Sequence, residues 1–146
     1  MVKTIWFDMD GTLADLYAVD NWLAKLNNFD PSPYRQAAVL HNMCKLVRYL
    51  HKVQQAGYTI GIISWTSKTG SELYNGQVAL EKMCWLHKHM ASVSWDYIKI
   101  VPYGTNKYDV CGGGILFDDE EKNRNDWGEN AYTPDKIFEV LKALAA

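Results

Sequence analysis

The chain is 146 residues long, 48% hydrophobic and 22% charged, enough to bury the core of one domain without a disulfide or a structural metal. Its 15 Lys plus Arg nearly balance 17 Asp plus Glu, and no basic run offers itself to a nucleic-acid backbone. Cys44, Cys84 and Cys111 are odd in number and dispersed, which argues against a disulfide framework or a zinc site and for buried thiols in a reducing cytoplasm.

Short apolar runs alternate with longer amphipathic ones, the pattern of a parallel sheet with crossover helices. Thr4 to Phe7 is the first expected strand, stopped by Asp8. That run is too short for a signal-peptide core, and no later one approaches the ~20 apolar residues of a membrane span, so a cytoplasmic protein is expected. Ser32 and Pro33 open a helix that runs to Ala56, with Val39, Met43, Leu46, Val47, Leu50 and Val53 on one face and Gly57 at its end. Tyr58 to Ile63 is the second strand, ending at Ser64. A helix from about Glu72 to Met90 aligns Leu73, Leu80, Met83, Cys84, His87 and Met90 along its expected buried stripe. Tyr97 to Val101 and Gly114 to Phe117 are the third and fourth strands, and Ala131-Tyr132 a short edge strand. Thr133-Pro134-Asp135 starts a last helix that buries Ile137, Val140, Leu141 and Leu144. The expected architecture is one α/β domain over residues 1–146, a doubly wound, Rossmann-like parallel sheet with flanking helices.

In such a sheet, ligands bind beyond the carboxyl ends of the strands. Asp8-Met9-Asp10-Gly11-Thr12 follows the first strand, Ser64-Trp65-Thr66 the second and Asp118-Asp119-Glu120-Glu121 the fourth, while Lys107 lies in the loop after the third. Asp8 and Asp10 are two apart on an extended segment, so both project toward one pocket. With Asp118 and Asp119 added, the carboxylates raise one another's pKa unless a cation neutralises them, and hard oxygen ligands suit Mg²⁺. A cation that holds a phosphate and leaves one carboxylate free to attack it points to phosphoryl transfer through an aspartyl-phosphate.

The string Asp8-Met9-Asp10-Gly11-Thr12-Leu13 resembles motif I (DxDGT) of the haloacid dehalogenase-like hydrolase superfamily, and Ser64, Lys107 and Asp118-Asp119 resemble its motifs II, III and IV, in order and over nearly the whole chain. The resemblance implies that Asp8 is the nucleophile and a Mg²⁺ ligand. Asp10 would protonate the leaving oxygen and then activate water, with its backbone carbonyl on the metal. Gly11, Thr12, Ser64 and Trp65 would surround the phosphate, Lys107 would neutralise charge beside it, and Asp118 and Asp119 would complete the metal site. The stretch from Lys107 to Asp118 leaves little room for the family's usual helix, so Lys68 and Lys99 stand as alternatives to Lys107, and Thr66 as an alternative to Ser64.

The superfamily's substrate-selecting cap has only residues 13–32 available here, a minimal helical insert. It implies an open site, or one closed by oligomerisation of identical chains. Asp15, Tyr17, Asp20, Trp22 and Asn27 in the insert are candidates to face the pocket, and Tyr17, Trp22 and Trp65 are able to stack on a base. Trp22 and Leu23 at helical spacing from Leu26 equally suit a small packed face. Glu120 to Arg124 reads as a solvated loop, from which Arg124 could still reach a second phosphate or an acidic substrate group. His41 and His51 read as packing or solvated residues. The expected function is a Mg²⁺-dependent phosphomonoesterase of a phosphorylated small molecule such as a nucleotide 5′-monophosphate. The alternatives are a polynucleotide 3′-end phosphatase, to which the lack of a basic groove is opposed, and a phosphate- and metal-binding module without turnover.

Overall fold

A computed structural model describes residues 3–146. Its centre is a five-stranded sheet of β1 (Thr4–Phe7), β4 (Thr59–Trp65), β5 (Tyr97–Val101), β6 (Ile115–Phe117) and β7 (Ala131–Tyr132), in the order β5-β4-β1-β6-β7 and parallel at every pairing. Side-chain alternation along β1 feeds two cores: Ile5 and Phe7 point into one, and Trp6 into the other. The first core is covered by α3 (Met43–Gln55), the second half of α4 (Glu72–His89) and α7 (Ile137–Ala145), through Leu46, Leu50, Val53, Trp85, Leu86, Ile137 and Leu141. The second core packs Ile63 and Leu116 against Trp127, with α5 (Lys107–Cys111) and α6 (Glu121–Trp127) on that face. Helices on both faces make the sheet doubly wound, as expected.

Two segments differ from the sequence expectation. The helix expected from Pro33 to Ala56 is broken into α2 (Ser32–Gln36), the two-residue strand β3 (Ala38–Val39) and α3. Asn42 makes the break, because its side chain accepts the Lys45 N–H and restarts the helix as an N-cap (3.1 Å). β3 pairs antiparallel with β2 (Ala14–Asp15), which fastens the insert to the body, and Val39 is exposed rather than on the helix's buried face.

On α4 the buried stripe is not the expected one. Leu73, Leu80 and Met83 are exposed, at 78%, 64% and 43%, and the inward face carries Tyr74, Val78, Lys82, Trp85 and Leu86. The cysteines are free, but Cys44 and Cys84 are exposed rather than buried. The insert adds a 3-10 turn (Leu16–Ala18) and α1 (Trp22–Asn27). Leu16 and Leu26 pack there with Tyr34, Tyr74 and Val78 in a third small core. Among the described residues no helix is long and apolar enough to cross a membrane.

Candidate active site

Strand register brings the acids together. Phe7 pairs with Ile62 on one side and Phe117 on the other, so Asp8 and Asp118 are the first residues past the ends of neighbouring strands. The Asp8 N–H donates to the Phe117 carbonyl, 3.0 Å away. Both side chains are buried, and Lys107 reaches between them, its Nζ 3.0 Å from Asp8 Oδ1 and 2.6 Å from Asp118 Oδ2. Lys107 gets there because Asn106 caps the single turn of α5, accepting the Asp109 N–H, and Gly112 ends it in the left-handed region. The loop before β6 therefore holds a helix after all, of one turn. Burial alone would lower the Lys107 pKa, but the Asp8 and Asp118 carboxylates outweigh it and hold the ammonium well above its ordinary value. Lys99 instead donates to the Val110 carbonyl, and Lys68 lies at the cavity beside the Tyr103 ring.

Asp8, Asp118 and Asp119 each bring a carboxylate oxygen within 4.8 Å of the other two. Asp119 Oδ1 is buried with no hydrogen-bond partner. Burial, and then the charge of Asp8, pushes Asp118 up to about 6 and Asp119 up to about 8. Three carboxylates face one ammonium, and one of their oxygens is unpartnered. A small hard divalent cation relieves both conditions, so these residues fit such an ion.

The Asp10 carboxylate stands apart from that set. Its Oδ2 accepts from Lys82 Nζ at 2.8 Å, and burial raises its pKa although the Lys82 ammonium opposes the shift. Asp8, Asp10, Asp118 and Asp119 all line one cavity of about 330 Å³. Tyr17, Trp22, Asn27 and Thr66 line it too, whereas Asp15 and Asp20 do not. Tyr17 and Trp22 meet edge-to-face at 5.1 Å on one wall, and Trp65 and Tyr103 lie 4.9 Å apart on another.

Four expected contacts are corrected. Gly11 and Thr12 do not line the cavity, because their N–H groups close the turn onto the Ala14 and Met9 carbonyls. Thr12 Oγ1 donates instead to Asp8 Oδ2 at 3.0 Å. Gly11, at a φ of +81°, leaves the space that the Asp119 carboxylate occupies, which a Cβ would fill. Ser64 is fully buried and off the cavity, since β4 continues to Trp65 by pairing Ser64 with Ile100 and Trp65 with Val101. Thr66 is the first residue past the strand. Arg124 does not reach the cavity, because its guanidinium donates to the Asp118 carbonyl at 3.0 Å. Trp65 lines the cavity with its indole N–H already donated to the Thr105 carbonyl, and its ring lies 5.2 Å from Lys107 Nζ. It offers a face, not a hydrogen bond.

Three residues at the site were not singled out as such in the sequence. Asn123 is buried and donates to Asp118 Oδ2 at 3.2 Å; its i,i+4 spacing with Trp127 on α6 marks an inward face. His41 Nε2 donates to the Thr12 carbonyl at 2.6 Å and so fastens the first turn, a contact without any local signal. Lys82 is 1% exposed, and its spacing with Val78, Trp85 and Leu86 is the signal of a buried face interrupted by a lysine.

No protein-family model matches the chain, and no curated protein matches its sequence. Solved structures do. The D,D-heptose 1,7-bisphosphate phosphatase of Burkholderia thailandensis aligns with a TM-score of 0.60 at 12% identity, over 99% of each chain. The D,D-heptose 1,7-bisphosphate phosphatase of B. bronchiseptica, complexed with magnesium and phosphate, aligns with a TM-score of 0.60 at 12% identity over 98% of each chain. Both share this chain's fold, a parallel sheet with flanking helices. At this identity the likeness establishes the fold, and the chemistry rests on the residues described above.

Proposed function

We propose that the chain is a Mg²⁺-dependent phosphomonoesterase working through an aspartyl-phosphate on Asp8. One observation carries this reading: a single cavity presents Asp8, braced by Lys107 and Thr12, together with a second carboxyl group, Asp10, that is held separately by Lys82. Asp8, Asp118 and Asp119 would hold the metal, which supplies charge neutralisation for an incoming phosphate. The magnesium and phosphate bound to the B. bronchiseptica enzyme, on the same fold, support that assignment.

The chain's own residues divide the chemistry between them. Lys107 donates to one Asp8 oxygen and Thr12 to the other, so the carboxylate is held in orientation for attack on phosphorus. Asp10 gives its proton to the leaving oxygen and later takes one from water. Thr66, past the end of β4, is the hydroxyl available to a phosphate oxygen. Residues 13–32 serve as a minimal cap in a single-domain enzyme, and the free thiols suit a cytoplasmic setting.

The walls support a substrate class. The cavity carries five carboxylates, Asp8, Asp10, Asp118, Asp119 and Glu120, against Lys68 and Lys107, so a polynucleotide or a second phosphate finds little to bind. The Tyr17–Trp22 and Trp65–Tyr103 pairs supply aromatic faces instead, which suits a nucleoside 5′-monophosphate. Phosphate release from nucleoside 5′- and 3′-monophosphates, sugar phosphates and a 3′-phosphorylated oligonucleotide, with Mg²⁺ and with chelator, tests the reading. Magnesium-dependent release, fastest from the 5′-monophosphates and absent in Asp8→Asn, is expected. Release unaffected by that substitution overturns the nucleophile, and preference for the oligonucleotide overturns the substrate class.

A further inference from the structure

Among the described residues, Lys82 is the one fully buried lysine that the reaction described above does not use directly. It enters the site from α4, behind the cavity, with 1% of its side chain exposed. An ammonium has three N–H donors, and Lys82 directs them to Asp10 Oδ2 at 2.8 Å, Ser64 Oγ at 2.7 Å and the Trp65 carbonyl at 2.6 Å. The Tyr34 ring lies 4.9 Å from the charge. Asp10 is its only ion-pair partner among the described residues. The lysine thus joins the turn after β1 to the end of β4, and Asp10 Oδ1 is left without a hydrogen bond among the described residues.

We propose that Lys82 is a positioning residue for Asp10: it pins one carboxyl oxygen from behind so that the other serves the reacting groups, and it engages Ser64 as a seat for itself rather than as a substrate contact. This rests on the phosphomonoesterase reading. In the first step an Asp8 oxygen bonds to phosphorus as the ester P–O bond breaks, and the Asp10 proton passes to the leaving oxygen. In the second, a water oxygen bonds to phosphorus, Asp10 takes the water's proton, and the bond from Asp8 to phosphorus breaks. Inorganic phosphate leaves and both carboxyl groups are restored. Lys82 touches no reacting atom in either step.

A double-mutant cycle on the Mg²⁺-loaded protein reads this directly, with a nucleoside 5′-monophosphate and p-nitrophenyl phosphate as the two esters. Lys82→Met should lower kcat on the nucleotide by ~10²-fold or more, the usual worth of acid–base catalysis, with KM little changed. The first-turnover burst of nitrophenolate, whose leaving group needs no proton, should survive. Asp10→Asn and the Asp10→Asn/Lys82→Met double variant should show the same kcat, because the lysine has nothing left to position. The double variant removes both members of the buried pair, so it reports even where Lys82→Met alone fails to fold. Ser64→Ala should leave KM unchanged. Loss of the nitrophenolate burst in Lys82→Met, a further loss in the double variant, or a raised KM in Ser64→Ala overturns the role given to Lys82 while wild-type turnover stands. A wild-type protein that releases phosphate from neither ester overturns the phosphomonoesterase reading itself.

Discussion

The floor of the cavity and its insert wall are built on opposite terms. On the floor, Asp8, Asp118 and Lys107 are buried and interlocked, and the strand register fixes them to one another. On the wall, Tyr17 is 48% exposed, and α1, which carries Trp22, lies between two non-glycine residues at positive φ, Asn21 and Phe29. One region stores charge in a rigid frame, and the other offers aromatic surface on a short, locally strained segment. In the proposed function, chemistry belongs to the first and choice of substrate to the second.

Substitutions should separate the two regions. The largest effect is expected from Asp8→Asn, which should remove turnover while the protein stays folded, as checked by phosphate release and circular dichroism. Trp22→Ala should instead raise KM by ~5-fold or more, from the ~1–3 kcal/mol that base stacking contributes, and leave kcat nearly intact. A fall in kcat with unchanged KM would place Trp22 on the floor's side of the division.

The floor also predicts a pH dependence. Burial, and then the charge of Asp8, raises Asp118 to about 6 and Asp119 to about 8 from an ordinary 3.8, so across that window the folded chain binds more protons than the unfolded one. Stability in chelator should therefore fall as pH rises from 3.8 through about 6 to about 8. Saturating Mg²⁺ should flatten or reverse that slope, because the ion favours the ionised carboxylates. Thermal unfolding over this range, with and without the metal, measures it. The smallest effect should come from the outer face of α4: Leu80→Gln, at a side chain 64% exposed, should change stability by no more than ~0.5 kcal/mol in a denaturant titration.

Much of the site was legible in the linear chain. Apolar runs ending in Asp8 and Asp118 announced parallel strands with their acids at one edge, since buried strands are dense in β-branched and aromatic residues and ligands bind at their carboxyl ends. The motif order added Lys107, although the one-turn helix that presents it was too short to show as a period. Ser64 was displaced from substrate to scaffold because the end of β4 depends on its pairing with β5, a partner 36 residues away. The break at Asn42 was missed because apolar periodicity continues across it, while the cap is a single side chain.

The sequence by itself determined the alternation of strands and helices, the acids at the strand ends and the spacing of the carboxyl pair two residues apart. These follow from local periodicity and from one residue's reach along the chain. Tertiary structure alone decided which face of α4 is buried, and so the place of Lys82. A helix with leucines on one side and a lysine on the other reads as lysine-out until a carboxylate is there to meet the charge. Asp10 stands 72 positions away in the chain and 2.8 Å away in space, and burial of that ammonium is tolerable only with the carboxylate in place.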